Sequence, residues 1–286
     1  MSDQRELQPL RQAGAVPVSP YRAKFSGKLG KELWSLALLP CLAYLVVPIA
    51  ALFFYENPAK ILANLDQRQV AESIGLSSVT TITTTLIAIL IGTPVAYLLP
   101  RLTGWRHRLI ETIVDLPVVL PPAVAGIALL LAFGTRGLLG HVLQLMGISI
   151  PFSTAAVVFA QLFVASPYYI KTAAVGFAAV DPSAKEAASI DGATRFETFL
   201  RISLPLTRNA LLGGAILTFA RALGEFGATI IFAGNLPGRT QTMPLAIYIG
   251  FQLNLDVAIA LSILLVAVSF IVMFVTRMLL ASGDEP

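Results

Sequence analysis

Residues 77–99 read SSVTTITTTLIAILIGTPVAYLL, a run without a charged side chain. At a rise of about 1.5 Å per residue, a helix of roughly 20 residues crosses a hydrocarbon core of about 30 Å, so this run is long enough to span a bilayer. A backbone in lipid must satisfy its own hydrogen bonds, and the run lacks the polar/apolar alternation of a barrel strand. The stretch therefore predicts a transmembrane helix.

The remainder of the chain contains comparable stretches. The composition is 56% hydrophobic and 13% charged, which is more apolar surface than a soluble core of 286 residues needs. We predict an all-α integral membrane protein with six transmembrane helices. Besides 77–99, the predicted spans are residues 36–54, 110–133, 153–170, 209–233 and 256–280.

Lys and Arg residues are distributed unevenly between the predicted loops. Fifteen of the 20 lie on the side that contains the N-terminal region, four lie on the other side, and Arg221 lies within the fifth span. Positive residues near span ends are retained in the cytoplasm. The bias predicts a mobile cytoplasmic tail over 1–30, a transmembrane domain over 31–286, and both termini on the cytoplasmic side of the plasma or inner membrane. It also explains the net charge of +4 without nucleic acid as a partner.

The sequence offers no recognisable catalytic or metal site. It has one cysteine, Cys41, and two histidines, His107 and His141, which cannot make a zinc cluster. No G-x-x-x-x-G-K-[ST], G-x-S-x-G or H-E-x-x-H motif is present. We expect no catalytic residue, no bound metal and no cofactor in this chain.

Residues 181–205, after the fourth span, read DPSAKEAASIDGATRFETFLRISLP. Asp181 suits the N-cap of a helix that has Pro182 at its first position, and Gly192 suits the left-handed residue that ends it. Thr194 and Glu197 match a capping box for a second helix. The segment therefore predicts two short helices in a cytoplasmic loop, called here the 181–205 loop.

The second of these helices carries an apolar stripe. Phe196, Phe199 and Leu200 have the i, i+3, i+4 spacing that places them on one helical face. On periodicity alone, two interpretations stay open. The stripe folds back on the chain's own spans, or it docks on a partner.

The residue pattern of the loop resembles the EAA loop of ABC importer permeases. Glu186-Ala187-Ala188 is followed after three residues by Gly192 and after nine more by Ile202-Ser203-Leu204-Pro205. The resemblance implies a coupling helix that docks on a cytoplasmic ABC ATPase dimer, which binds the ATP and Mg. The residues expected to serve this coupling are Glu186, Ala187, Ala188, Gly192, Phe196, Phe199, Ile202, Leu204 and Pro205.

The same resemblance implies further partners. One six-span permease has no second half with which to form a pathway, so a second copy in a homodimer is the simplest arrangement, and a heterodimer with a paralogue stays open. An extracytoplasmic substrate-binding protein would deliver the cargo, and membrane lipid would surround the spans.

Three segments narrow the resemblance to the molybdate and sulfate branch of these permeases. They are LPVVLPPAVAG at 116–126, RALGEFGAT at 221–229 and FAGNLPGRTQTMPLAIY at 232–248. The third segment is closest to molybdate permease, so molybdate is the expected cargo. Sulfate, thiosulfate and tungstate remain alternatives.

Several residues suit a translocation pathway. Pro121 and Pro122, after Pro117, remove backbone donors from the third span and predict a kink that faces either the pathway or a packed neighbour. Arg221 and Glu225 have i, i+4 spacing in the fifth span and are predicted to pair. The pair is either purely structural, or Glu225 holds Arg221 where it helps a dianion pass.

Two other polar features are less specific. Asp115 is expected to lie at an interfacial depth and to pair within the dimer, but the sequence names no partner for it. A threonine cluster in the second span suits either close helix packing or an oxyanion, and packing is favoured. Its members are Thr80, Thr81, Thr83, Thr84 and Thr85.

Two other classes of protein compete with an ABC permease. A secondary transporter would commonly show internal symmetry, and spans one to three do not repeat in spans four to six. A membrane-embedded hydrolase would need a nucleophile and a base, or metal ligands, within its spans. Neither class explains the 181–205 loop.

Overall fold

A computed structural model describes residues 28–55, 57–65 and 67–281. Within these ranges the chain is helical and contains no strand. Residues 1–27 of the predicted tail lie outside the described residues, and so do residues 282–286. The α-helices of the described part are α1 (Lys28–Tyr55), α2 (Pro58–Leu65), α3 (Arg68–Leu98), α4 (Gly104–Val119), α5 (Pro122–Phe133), α6 (Gly140–Leu145), α7 (Thr154–Ala178), α8 (Pro182–Ile190), α9 (Arg195–Thr198), α10 (Leu204–Leu206), α11 (Arg208–Leu223), α12 (Gly227–Phe232), α13 (Met243–Leu253) and α14 (Leu255–Ala281).

The chain divides into two compact units, Met1–Ala51 and Leu52–Pro286. The described residues of the first unit belong to α1, and all of the site discussed below lies in the second unit.

The membrane spans agree with the predicted fold class. Within the described residues, three helical stretches are long and apolar enough to cross a membrane on their own, namely Leu38–Tyr55, Arg68–Arg101 and Leu255–Val275. Counting each of three bent helix pairs as one span raises the number to six. On the helices that are long enough to span a bilayer, large apolar side chains are exposed, including Leu90 on α3 and Phe270 on α14. Such exposure is expected for a surface that lipid covers.

The third predicted span, 110–133, is not one helix. It divides into α4 and α5, whose axes differ by 114°. Pro121 disfavours the helical conformation at Leu120, and Pro122 does the same at Pro121, so both residues adopt extended backbone with ψ 135°. The structure therefore has a sharp turn where the sequence predicted a kink.

The fifth predicted span, 209–233, is also interrupted. Helix α11 ends at Leu223 and α12 begins at Gly227, with Glu225 between them. The fourth span, by contrast, is longer than predicted, because α7 continues past residue 170 to Ala178. Helix α13 was missed altogether in the sequence.

Helix α7 lies at the centre of the second unit and packs against α3 and α11. Gly92 lets α3 approach α7 closely, since a Cβ there would lie 2.8 Å from Cδ1 of Tyr169. The Tyr169 hydroxyl lies 2.6 Å from Oγ1 of Thr93.

The threonine cluster of α3 also faces α7. The Thr84 hydroxyl donates to Oε1 of buried Gln161 at 3.0 Å. Thr80, Thr81 and Thr84 are fully buried, which favours the packing interpretation of the threonine cluster.

Candidate functional site: the 181–205 loop and two adjacent helix breaks

The first half of the 181–205 loop folds as its local sequence predicts. Asp181 accepts a hydrogen bond from the Ser183 N–H at 2.9 Å, and Pro182 is the first residue of α8. That backbone hydrogen bond lowers the pKa of the Asp181 carboxyl. Gly192 has φ +83°, and the next N–H, from Ala193, donates to the Ala188 carbonyl at 2.9 Å. The predicted cap and the left-handed glycine are confirmed.

The second half of the loop begins with the predicted capping box. The Thr194 N–H donates to Oε2 of Glu197 at 2.9 Å, and the Glu197 N–H donates to the Thr194 hydroxyl at 3.2 Å. The hydrogen bond from the Thr194 backbone lowers the pKa of the Glu197 carboxyl. The α-helix that follows is short, because a π-helical segment, Phe199–Ser203, replaces it before α10.

Aromatic contacts anchor the loop to the transmembrane helices. The Phe199 ring packs edge-on against Tyr97 of α3 with centroids 4.6 Å apart, and Tyr97 packs against Phe177 of α7 at 5.2 Å. Ile202 and Leu204 are half-buried, whereas Pro205 is exposed. The predicted stripe is therefore divided, with Phe199 directed inward and Phe196 and Leu200 exposed.

The exposed side of the loop presents apolar groups together with a carboxylate. Ile190 is 85% exposed and Phe196 is 69% exposed. Glu186 and Ala187 are also exposed, while Ala188 is buried. Among the described residues, the side chain of Glu186 has no ion pair or hydrogen bond. Sequence reasoning missed Ile190, although its i+4 spacing from Glu186 on α8 was the available signal.

The predicted Arg221–Glu225 pair is present. Nη1 of Arg221 lies 2.9 Å from Oε2 of Glu225, whose side chain is 1% exposed. The other carboxylate oxygen, Oε1, accepts the Ala228 N–H at 2.8 Å. The two partners are not on one continuous helix, because Glu225 lies in the break after α11. Glu225 therefore also caps the first turn of α12.

The two helix breaks are adjacent. Gly227, at the start of α12, contacts the Pro122 side chain at the start of α5. A Cβ on Gly126 would lie 2.7 Å from Cβ of Ile231. The absence of a side chain at Gly126 and Gly227 therefore allows α5 and α12 to pack closely. The structure thus brings Pro122 next to the break that holds Glu225. We call residues 120–121 and 224–226 the paired breaks.

A second ion pair involves Asp115, which was predicted to pair, and a partner that was not predicted. Nζ of Lys171 on α7 lies 2.9 Å from Oδ1 and from Oδ2 of Asp115 on α4. Asp115 is therefore paired within the chain rather than with a second copy. Lys171, expected in a loop, lies within α7, where its charge is offset by this carboxylate.

Comparison with known proteins gives the family. Residues 86–282 match the family model described as "Binding-protein-dependent transport system inner membrane component". The chain belongs to this family. It is the membrane permease subunit of an ABC importer and crosses the membrane several times, and the ATPase activity of such importers resides in a separate partner subunit.

The permease is similar to several curated proteins over most of its length. It is 36% identical to "Probable transport system permease protein NifC" of Clostridium pasteurianum over 84% of each chain. It is 39% identical to "Molybdenum transport system permease protein ModB" of Mycobacterium tuberculosis, over 82% of this chain and 90% of that protein. It is 33% identical to "Sulfate transport system permease protein CysW" of Synechococcus elongatus, over 82% and 86%.

Solved structures support the fold. A bacterial ABC transporter involved in the import of the acidic polysaccharide alginate aligns with a TM-score of 0.71 and 15% identity, over 88% of this chain and 96% of that chain. The MetNI methionine ABC transporter aligns with a TM-score of 0.58 and 17% identity, over 75% and 96%. At these identities the similarity concerns the fold alone.

Proposed function

We propose that this permease translocates molybdate into the cytoplasm, and that the 181–205 loop couples this transport to the partner ATPase. The observation that carries the coupling proposal is the two-sided character of the loop. One side is fixed to the bundle through Phe199, and the other exposes Ile190, Phe196 and the unpaired Glu186. Exposed apolar side chains on a segment with capped helices suit a protein partner.

The loop is well placed to transmit force. Phe199 contacts Tyr97 of α3, and Tyr97 contacts Phe177 of α7, so a displacement of the loop acts on two central helices at once. Packed aromatic side chains transmit displacement because interiors are dense and hardly compressible. Closure of an ATPase dimer would move the loop as a rigid body, and the helices would rock around it.

The proposed assembly has three kinds of partner. A cytoplasmic ATPase dimer binds ATP and Mg and docks on the 181–205 loop. A second permease copy completes the pathway, with two-fold symmetry as the simplest arrangement. A substrate-binding protein delivers cargo on the outer side. Both termini and the loop lie in the cytoplasm in this arrangement.

The paired breaks are the proposed site of anion passage. Irregular backbone at membrane depth is tolerated where it contacts protein or lines a cavity, and two such segments lie side by side here. Arg221 is 28% exposed, whereas its partner Glu225 is buried. This asymmetry favours the hypothesis that Glu225 orients Arg221 and that the guanidinium offers its remaining donors to a passing dianion.

The choice of molybdate rests on the relatives. Proteins named as molybdenum permeases are 38–40% identical to this chain, and the named sulfate permease is 33% identical. Sulfate, thiosulfate and tungstate are tetrahedral oxyanions as well, and they remain the alternative cargoes.

Uptake by the full importer in vesicles tests this function. We expect ATP-dependent molybdate uptake that excess sulfate does not abolish. Replacing Ile190→Ala together with Phe196→Ala should strongly reduce both uptake and cargo-stimulated ATP hydrolysis, because hot-spot side chains contribute about 2 kcal/mol or more each to an interface. Ile148→Ala is the matched control, because Ile148 is an exposed apolar residue that lies outside the 181–205 loop. Normal coupling in the double variant would contradict the proposal.

A further inference from the structure

A basic cavity lies between the C-terminal end of α3 and the 181–205 loop, at the end of the bundle that the proposed function places in the cytoplasm. It has a volume of about 460 Å³. Three cationic side chains line it, Arg101 from the turn after α3, Lys185 from α8 and Arg195 from α9. None of the carboxylates in the described residues lines it. The remaining lining residues are Tyr97, Leu98, Ser189, Ala193 and Thr198.

The three cations lack anionic partners among the described residues. Arg101 stacks on the Tyr97 ring, with Cζ 3.4 Å from the centroid. Lys185 donates only to the Val180 carbonyl, at 3.4 Å. Arg195 has no ion pair or hydrogen bond through its side chain in the described part of the chain. Cations that converge on one cavity repel each other, and the arrangement is stabilised when an anion shares them.

The cavity has the chemistry of a phosphate site. Two guanidinium groups offer planar sets of donors that match tetrahedral oxyanions, and the Lys185 ammonium adds a third charge. The Ser189 hydroxyl, one turn after Lys185 on α8, adds a neutral donor. Stacking on Tyr97 keeps the Arg101 guanidinium in place, which reduces the entropy lost when it binds a ligand.

The position of the cavity brings it close to lipid headgroups. Arg101 is the last residue of the apolar stretch Arg68–Arg101, so it lies where a span leaves the hydrocarbon. Leu98, which forms an apolar wall of the cavity, is 55% exposed. Basic pockets at the cytoplasmic ends of membrane helices bind anionic headgroups.

We propose that Arg101, Lys185 and Arg195 form a binding site for a phosphate-type oxyanion, either the phosphate of an anionic lipid or a free phosphate ion. The bound anion bridges the end of α3 and both short helices of the 181–205 loop. It thereby fastens the loop to the bundle at a second point, beside the Tyr97–Phe199 contact. Binding of the anion does not depend on the identity of the cargo or on coupling to an ATPase.

The test uses the purified full complex in two arms. In the first, native mass spectrometry counts the phosphatidic acid molecules retained by each permease. In the second, the delipidated complex is titrated with inorganic phosphate and its thermal stability is followed. We expect binding in at least one arm, weakened about tenfold by each of Arg101→Gln, Lys185→Gln and Arg195→Gln.

Matched variants make the result decisive. Arg106→Gln with Arg108→Gln removes two positive charges from the same end of the bundle without touching the cavity, and this variant should bind as the unaltered complex does. Retention of phosphatidic acid alone identifies a lipid site, and stabilisation by phosphate alone identifies a free-ion site. The proposal is overturned if neither probe binds, or if the triple Gln variant binds both as well as the control variant does.

Discussion

The 181–205 loop and the paired breaks both interrupt regular membrane helix, but different interactions hold them. In the loop, the caps of both short helices are supported by neighbours in sequence, namely Asp181 with Ser183 and Thr194 with Glu197. At the breaks, Glu225 also has partners nearby in sequence, but the close packing comes from a different helix, since Gly227 packs on Pro122 and Gly126 packs on Ile231. A loop with local support can move as one body, whereas the breaks depend on the packing around them.

The largest effect should come from removing the buried carboxylate at the breaks. Glu225→Ala leaves Arg221 unpaired and the first turn of α12 uncapped. Breaking a buried ion pair on one side costs about 3–5 kcal/mol. We expect a large fall in the thermal unfolding temperature of the purified permease, with loss of assembly.

A double variant separates charge from packing. In Arg221→Gln with Glu225→Gln no unpaired charge remains, so stability should largely recover while anion transport does not. Full transport by this variant, with normal assembly, would make the pair purely structural.

Overpacking the contact between the breaks should have the next largest effect. Gly126→Val places side-chain atoms against Ile231 and Ala228, and overpacking costs about 1–3 kcal/mol. Thermal unfolding in detergent should show the loss. Gly75→Ala on α3, where a Cβ meets no atom within 4 Å, is the control and should be neutral or stabilising. Equal effects at the two positions would contradict the role of Gly126 in the close packing of the breaks.

Strain in the loop should affect coupling more than stability. Gly192→Val forces a β-branched residue to φ +83°, at a cost of about 1–2 kcal/mol. Because the loop transmits motion, we expect ATP hydrolysis to become uncoupled from transport while the bundle remains folded. Gly192→Asn, which tolerates the left-handed conformation, should retain coupling. Unchanged cargo-stimulated hydrolysis and uptake in the valine variant would argue against the role of this turn.

The smallest effect should follow from acidification of the loop caps. Hydrogen bonds from backbone N–H groups lower the pKa of both Asp181 and Glu197. Their stabilising contribution is therefore complete above the ordinary carboxyl pKa and is lost as pH falls through the lowered pKa. The protection factors of the 181–205 amides, corrected for the pH dependence of intrinsic exchange, should fall in that acidic range before those of α7 change. Simultaneous loss of protection in both would show that the loop has no local stability of its own.

The comparison also explains what the sequence could predict. The caps of α8 and α9 depend on residues two to four positions apart, so Asp181, Gly192 and the Thr194–Glu197 box were all predicted correctly. The Arg221–Glu225 pair was predicted for the same reason. The 114° turn at Pro121 was underestimated, because the prolines prevent a helix from continuing but the contact with α12 sets the direction.

Features that depend on distant residues were missed. Nothing near Asp115 in the sequence identifies Lys171 as its partner, and the same pairing explains why α7 continues through a lysine. The inward direction of Phe199 depends on Tyr97, about a hundred residues earlier in the chain, and on a π-helical segment that periodicity of 3.6 does not predict. The segments 116–126, 221–229 and 232–248 resemble molybdate permease, but no local rule assigns a role to their residues.

The most direct test of the account is site-specific cross-linking in the assembled importer. With Cys41→Ser as background, Ile190→Cys introduces a thiol on the exposed side of the loop, and Ile148→Cys introduces one on another exposed apolar position. We predict that the thiol at position 190 cross-links to the ATPase subunit in a yield that changes with ATP, and that the thiol at position 148 does not. Cross-linking from position 148 and none from position 190 would contradict the proposed coupling.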